Sequence, residues 1–177
     1  MSERALKEQT IAPAMRAGWD WSRIVSLALA VAGLLMALYL TYAELLIDTS
    51  TMACPSEGGT VLGLPIDCGT VNTSQYATVG PIPVALLGVA GYLCILLVLL
   101  LENRLGLLME HGRLLFFGLT LFGFAFSLYL TWAEVAQIKA FCSWCMASAT
   151  VMTALFVVAL FRLGQQLRGL DGDEPAS

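Results

Sequence analysis

Four apolar runs, Ile24 to Ile47, Ile82 to Leu101, Leu114 to Val135 and Met146 to Leu163, set what this chain can become. Each approaches or exceeds the roughly 20 residues a helix needs to cross a bilayer. With 58% of the chain hydrophobic and only 12% charged, a soluble domain of this length is excluded. The expected fold is an all-α integral membrane protein, a four-transmembrane-helix bundle with a long outward-facing loop between helices one and two. Its segments are an N-terminal stretch, 1–23, a helical domain, 24–163, whose long loop is 48–81, and an acidic tail, 164–177. No room is left for a second globular domain. The first run is longer than the roughly 7 to 15 residues of a signal core, so it reads as a retained helix.

Basic residues predict the orientation. Arg4, Lys7, Arg16 and Arg23 precede the first run, Arg104 and Arg113 lie between the second and third, and Arg162 and Arg168 end the fourth. Only Lys139 falls in the remaining loops. That bias predicts cytoplasmic termini, with loops 48–81 and 136–145 facing a periplasm, cell exterior or organelle lumen. Trp19 and Trp21 suit the interface before the first helix. The tail Asp171-Gly172-Asp173-Glu174 reads as a solvated, disordered end, and no basic and aromatic interleaving points to nucleic acid.

Four of the five cysteines lie in the outward loops or at their membrane edge, where disulfides persist. Phe141-Cys142-Ser143-Trp144-Cys145 sets a Cys-x-x-Cys directly before the fourth run. Two intervening residues at the mouth of a helix let one turn hold a reversible disulfide, and the helix N-terminus favours a thiolate. A zinc site would need two more ligands, and the single histidine, His111, falls in a loop of the opposite side. Cys54 and Cys68, 14 positions apart, occupy the long loop, which has no Lys or Arg. Gly58, Gly59, Gly63 and Gly69 make that loop flexible, and Val61, Leu62, Leu64 and Ile66 suit a lid on the membrane surface. This pair reads either as a static staple or as an exchange partner for the Cys-x-x-Cys, since thiolate attack passes electrons between pairs. Four cysteines allow three pairings. Cys94, inside the second run, reads as a small apolar packing residue.

Helix one ends in Leu38-Tyr39-Leu40-Thr41-Tyr42-Ala43-Glu44 and helix three in Leu128-Tyr129-Leu130-Thr131-Trp132-Ala133-Glu134, identical at six of seven positions. The repeat suggests two helix-loop-helix halves, each followed by a cysteine pair. Glu44 and Glu134 close the two copies, either as solvated interfacial charges or as groups that relay protons or adjust thiol acidity. Gly80-Pro81-Ile82-Pro83 restarts the chain into helix two, where Gly88 and Gly91 allow close helix approach. Phe116, Phe117, Phe122, Phe124 and Phe126 read as lipid-facing or packing residues able to line a site for a flat ring.

Two cysteine pairs on one side of a bundle make a relay. Soluble thiols reach the outer pair, the inner pair sits at the membrane edge, and the electrons need an exit that no haem, flavin or metal motif supplies. A lipid-soluble two-electron acceptor, a quinone, follows by elimination. The alternative class is a non-catalytic membrane scaffold whose structural disulfides brace its outer loops; a small transporter would need intramembrane charges.

The order of these features resembles the vitamin K epoxide reductase family, in its bacterial form, over roughly residues 20 to 165. The resemblance rests on the loop pair, on Cys68-Gly69-Thr70-Val71-Asn72-Thr73-Ser74-Gln75-Tyr76-Ala77 leading to Gly80 and Pro83, and on the Cys-x-x-Cys opening helix four. It implies a bundle around a quinone of ubiquinone, menaquinone or phylloquinone type, no metal, and disulfide formation for a thioredoxin-like (DsbA-like) partner. By that resemblance Cys142 and Cys145 are the active-site pair, with Cys145 next to the quinone. Cys142 would exchange with Cys68, Cys54 would meet the partner first, and Ser74 would position the quinone ring. A bacterial inner membrane is the implied location. The chain ends soon after helix four, so a fused thioredoxin-like domain is not expected and the partner should be a separate extracytoplasmic protein. Vertebrate members carry an Asn and a Tyr at the quinone, whose approximate counterparts here, near Val84 and Ala149, are apolar. That departure favours quinone reduction coupled to disulfide formation over vitamin K quinone or epoxide reductase activity. The DsbB type does similar chemistry but carries its Cys-x-x-Cys in the first outward loop. The spacing of Cys54 from Cys68 is longer than the family leads one to expect, which leaves the loop's fold open.

Overall fold

The computed structural model describes residues 3–46, 54–102 and 106–171, with side chains described over 21–46, 54–102 and 112–165. The long helices are α1 (Glu3–Leu46), α3 (Val84–Leu101), α4 (Gly106–Ala133) and α5 (Ser143–Asp171); a short α2 (Cys68–Asn72) lies between α1 and α3. A π-helical turn, Glu134–Ile138, continues α4. Four segments within these helices are long and apolar enough to cross a membrane: Trp21–Leu46, Val84–Leu101, Gly112–Ile138 and Ser143–Gln165. The protein is therefore an all-α membrane bundle, and it is a helical one because every backbone amide in hydrocarbon needs a partner within its own segment.

The bundle is greasy outside and close-packed inside. Leu35, Phe122 and Phe161 are 61%, 74% and 72% exposed, as lipid-facing side chains would be. Tyr92, Phe116, Ile95, Leu99 and Leu155 are fully buried. α1 packs on α3 and α5, and α4 on α5. Close approach of α1 and α3 depends on Gly33, where an added Cβ would lie 2.2 Å from the Tyr92 ring. Gly88 sits against Ala37 of α1, whereas Gly91 has open space in front of it.

Both ends of the domain are more helical than hydropathy suggests. α1 begins at Glu3, well before Ile24, and α5 runs past Leu163 to Asp171. Once a span has nucleated a helix, each further residue adds a hydrogen bond without a new nucleation cost. Asp173 and Glu174 of the tail lie outside the described residues.

From Cys54 onward the long loop folds into two short hairpins and a short helix. β1 (Thr60–Val61) pairs antiparallel with β2 (Leu64–Pro65) across Leu62 and Gly63, both with positive φ, 52° and 80°, the backbone form that tight hairpins require. β3 (Thr78–Val79) pairs with β4 (Ile82–Pro83) across Pro81 and Gly80, the latter at φ 63°. Asp67 caps α2, its carboxylate accepting from the Thr70 amide at 2.9 Å and the Thr70 hydroxyl at 2.6 Å. The expected lid splits: Leu62 is 87% exposed at a hairpin tip, while Ile66 turns inward. Ile66 forms a parallel bridge with Phe141, which joins the two loops.

Candidate functional site

Two stitches bring the separate cysteine pairs together. In the first, the Asp67 amide donates to the Phe141 carbonyl and the Phe141 amide to the Pro65 carbonyl, both at 2.9 Å, so Cys68 follows beside Cys142. In the second, the Ser143 hydroxyl donates to the Pro55 carbonyl, setting Cys54 next to the start of α5. Cys68, Cys142, Leu40, Ala43, Val71 and Ala140 form one buried cluster, with Cys54 and Cys145 packed at its edge. Cys54 and Cys68 are joined in a disulfide, and Cys142 and Cys145 are free thiols. Positions 47–53, which lead into the loop, lie outside the described residues.

Local geometry explains how Cys142 is held. Lys139 adopts a left-handed conformation, φ 57°, which ends the π turn and redirects the chain. Cys142 then caps α5: its carbonyl accepts the Met146 amide at 2.9 Å, and its Sγ accepts the Cys145 amide at 3.3 Å. A hydrogen bond from the Cys145 thiol, helped by the Cys145 and Trp144 amides, holds the Cys142 thiol below its usual range, although burial and Glu134 push the other way. A helix N-terminus favouring a thiolate is the effect anticipated for this motif. The favoured sulfur is the first cysteine. The Cys142 amide in turn donates to Glu134 Oε2 at 3.4 Å.

Beneath the cysteines lies a cavity of about 400 Å³ between α1, α3, α4 and α5. Its wall is almost wholly apolar, including Ala37, Leu40, Val84, Gly88, Phe126 and Ala149, and it includes Cys145 and Glu134. The Tyr92 hydroxyl, also at the wall, is taken up by the Ser148 carbonyl at 3.1 Å and hydroxyl at 3.0 Å. A largely apolar chamber of this size, with a thiol on its wall, can accept a planar ring. Val84 and Ala149 line it and offer only hydrocarbon.

Several residues sit elsewhere than expected. Ser74 does not line this cavity; its hydroxyl donates to the Val71 carbonyl at 2.7 Å, closing the turn after α2. Cys94 is no packing residue. It is exposed on the bundle surface and borders the cavity, because the helical period turns Tyr92 and Ile95 inward instead. Glu134 is no solvated charge, being only 4% exposed, whereas its repeat counterpart Glu44 is half-buried. Other repeat positions behave alike: Ala43 and Ala133 are both buried, and Thr41 and Thr131 both bond the carbonyl four residues earlier. The aromatic residues diverge, Tyr39 contacting Trp144 at 4.9 Å while Tyr129 stacks on Trp132. The buried pair Glu102 and Arg162, joined at 2.8 Å, escaped the sequence reading, which made Arg162 a plain flanking base. The side chain of His111 lies outside those described.

The model of the vitamin K epoxide reductase family matches residues 24–160, a stretch that takes in both cysteine pairs, the cavity lining, the second and third apolar spans and most of the first and fourth. The chain belongs to the vitamin K epoxide reductase family, and as such is a multi-pass integral membrane oxidoreductase of disulfide and quinone chemistry.

Proposed function

We propose that the protein makes disulfides for a separate extracytoplasmic thioredoxin-like partner and hands the electrons to a membrane quinone. The observation that carries this reading is the stack itself: a loop disulfide held against a Cys-x-x-Cys whose second cysteine borders an apolar cavity. In each cycle a partner thiolate attacks the Cys54–Cys68 disulfide at Cys54, releasing Cys68 as a thiolate. The partner's second thiol resolves the mixed disulfide, so the partner leaves oxidised and Cys54 and Cys68 are reduced. Cys68 then attacks Cys142 of a Cys142–Cys145 disulfide, and Cys54 resolves the Cys68–Cys142 bond. The outer disulfide is restored, and Cys142 and Cys145 hold the two electrons. The quinone takes two electrons and two protons from that dithiol, remaking its disulfide and leaving as quinol.

Burial supports this order. Cys54 is partly exposed, whereas Cys68 and Cys142 are buried, so a soluble partner meets Cys54 first. The apolar Val84 and Ala149 at the cavity wall favour a plain quinone over an epoxide. We place the cysteine end on the outer side of a bacterial inner membrane, with both termini cytoplasmic, from the bias of basic residues. The test is quinone absorbance in detergent, with purified protein, a reduced thioredoxin-like donor and excess quinone. Catalytic loss of absorbance is expected in the wild type and not in Cys142→Ser or Cys145→Ser. Retained turnover in either variant, or none in the wild type with any donor or quinone, would sink the relay.

A further inference from the structure

A carboxyl inside a membrane span is costly unless it is paired, and Glu134 is 4% exposed within the span Gly112–Ile138. Among the described residues the other buried glutamate, Glu102, has Arg162. Among the described residues no cation pairs with Glu134; its Oε2 accepts the Cys142 amide at 3.4 Å. It also shares the cavity wall with Cys145. On the same wall the Tyr92 and Ser148 hydroxyls bond each other and the Thr131 hydroxyl donates to the Ser127 carbonyl, while the Ser127 hydroxyl is the remaining neutral polar group there. Glu134 opens a π-helical turn, a widened form that recurs at functional positions. The repeat motif does not by itself demand burial, since Glu44 occupies the same place half-buried.

We propose that Glu134 is a catalytic proton carrier between the Cys145 thiol and the quinone. This rests on the thiol-to-quinone reading above. Cys145 gives its thiol proton to the Glu134 carboxylate and becomes a thiolate; the carboxyl passes that proton to one quinone oxygen. The Cys142 thiol supplies the other proton, the two electrons leave the sulfurs as the Cys142–Cys145 bond forms, and Glu134 ends as it began. Few charged or ionisable groups lie on the elements packed around it. They are Cys142 and Cys145, the disulfide-bonded Cys68 of α2 and its cap Asp67, the exposed Lys139 of its own turn, Glu44 and Tyr39 of α1, and the bonded Tyr92 of α3. α3, α4 from Leu114 on, and α5 before Arg162 carry no charged residue.

The experiment follows a single turnover of quinone reduction by pre-reduced protein across pH, comparing wild type with Glu134→Gln, Glu134→Asp and Cys145→Ser. The isosteric Glu134→Gln should bind quinone normally yet reduce it about 100-fold more slowly, with one ionisation missing from the pH profile. Glu134→Asp, which keeps a titrating carboxyl, should restore that ionisation. A second readout needs no quinone: in a Cys142→Ser background, the pH midpoint for alkylating Cys145 should fall by about one unit when Glu134→Gln removes the neighbouring negative charge. Wild-type reduction that is lost in Cys145→Ser but unchanged in rate and pH profile in Glu134→Gln overturns this inference alone. An inactive wild type removes the relay and the inference together. A poorly folded Glu134→Gln leaves the decision to Glu134→Asp, whose pH profile must then match the wild type in form for the inference to stand.

Discussion

Asp67 shows how much of the site hangs on one side chain outside the membrane. Its carboxylate caps α2 through the Thr70 amide and hydroxyl, and those same bonds hold its pKa below the usual carboxylate range. The first residue of that helix is Cys68. A carboxyl with a depressed folded pKa contributes stability above its unfolded pKa of about 3.9, lost as pH falls through the folded value. Asp67→Ala should therefore cost about 1 kcal/mol at neutral pH, the usual worth of such a cap, and remove part of the acid sensitivity of the loop. Asp67→Asn, which still accepts a hydrogen bond, should cost less. Hydrogen exchange at the Thr70 amide checks this: faster exchange in Asp67→Ala at neutral pH is expected, and unchanged protection would show that the cap does not hold Cys68. Cys142 teaches a related lesson, because its lowered thiol comes from being the cap of α5 and from its Cys145 hydrogen bond, both consequences of two-residue spacing.

At the scale of elements, the spans and the Cys-x-x-Cys were legible because each is a local rule. A bilayer imposes length and apolarity residue by residue, and a two-residue spacing fixes one turn wherever it lies. Glu134 was only half legible: the repeat exposed it, but nothing in LYLTWAE says that α4 widens into a π turn and carries the carboxyl inward. Ser74 was assigned by likeness, and its hydroxyl is used by its own turn, a bond that composition does not announce. The loop was harder still, since its order depends on a bridge from Ile66 to Phe141, far apart in the chain. Close packing makes another element-level expectation. Gly33→Ala would push a methyl into the Tyr92 ring, so α1 and α3 must separate or Tyr92 must turn. Overpacking of this kind costs roughly 1 to 3 kcal/mol. Unfolding in detergent should show that loss for Gly33→Ala and a partial recovery in the double variant with Tyr92→Leu. Additive losses would mean that the ring is not what the methyl meets.

Among the described residues the charged side chains are separated to the two ends of an apolar bundle of helices. The two cysteine pairs lie where α3 begins, and Glu102 with Arg162 lies where α3 ends, about 27 Å away along 18 residues of helix. At that far end one guanidinium nitrogen of Arg162 contacts both Glu102 oxygens at 2.8 Å, Arg162 also covers the Phe116 ring at 5.3 Å, and Arg23 donates to the Leu99 carbonyl at 3.1 Å. The pair joins the end of α3 to α5 through residues 60 apart in sequence, which is why hydropathy alone could not pair them. Removing one partner of a buried ion pair leaves the other charge uncompensated, at a cost of roughly 3 to 5 kcal/mol, while replacing both with apolar groups is close to neutral. Glu102→Gln should therefore lower the unfolding temperature in detergent sharply, and Glu102→Leu combined with Arg162→Met should restore most of it. Quinone reduction by whatever fraction stays folded should keep its wild-type rate in both variants, because the pair is separated from Cys145 by the length of the bundle. A double variant as unstable as Glu102→Gln would show that the fold needs the charges themselves. A folded variant with slow quinone reduction would show that the two ends of the bundle are mechanically linked.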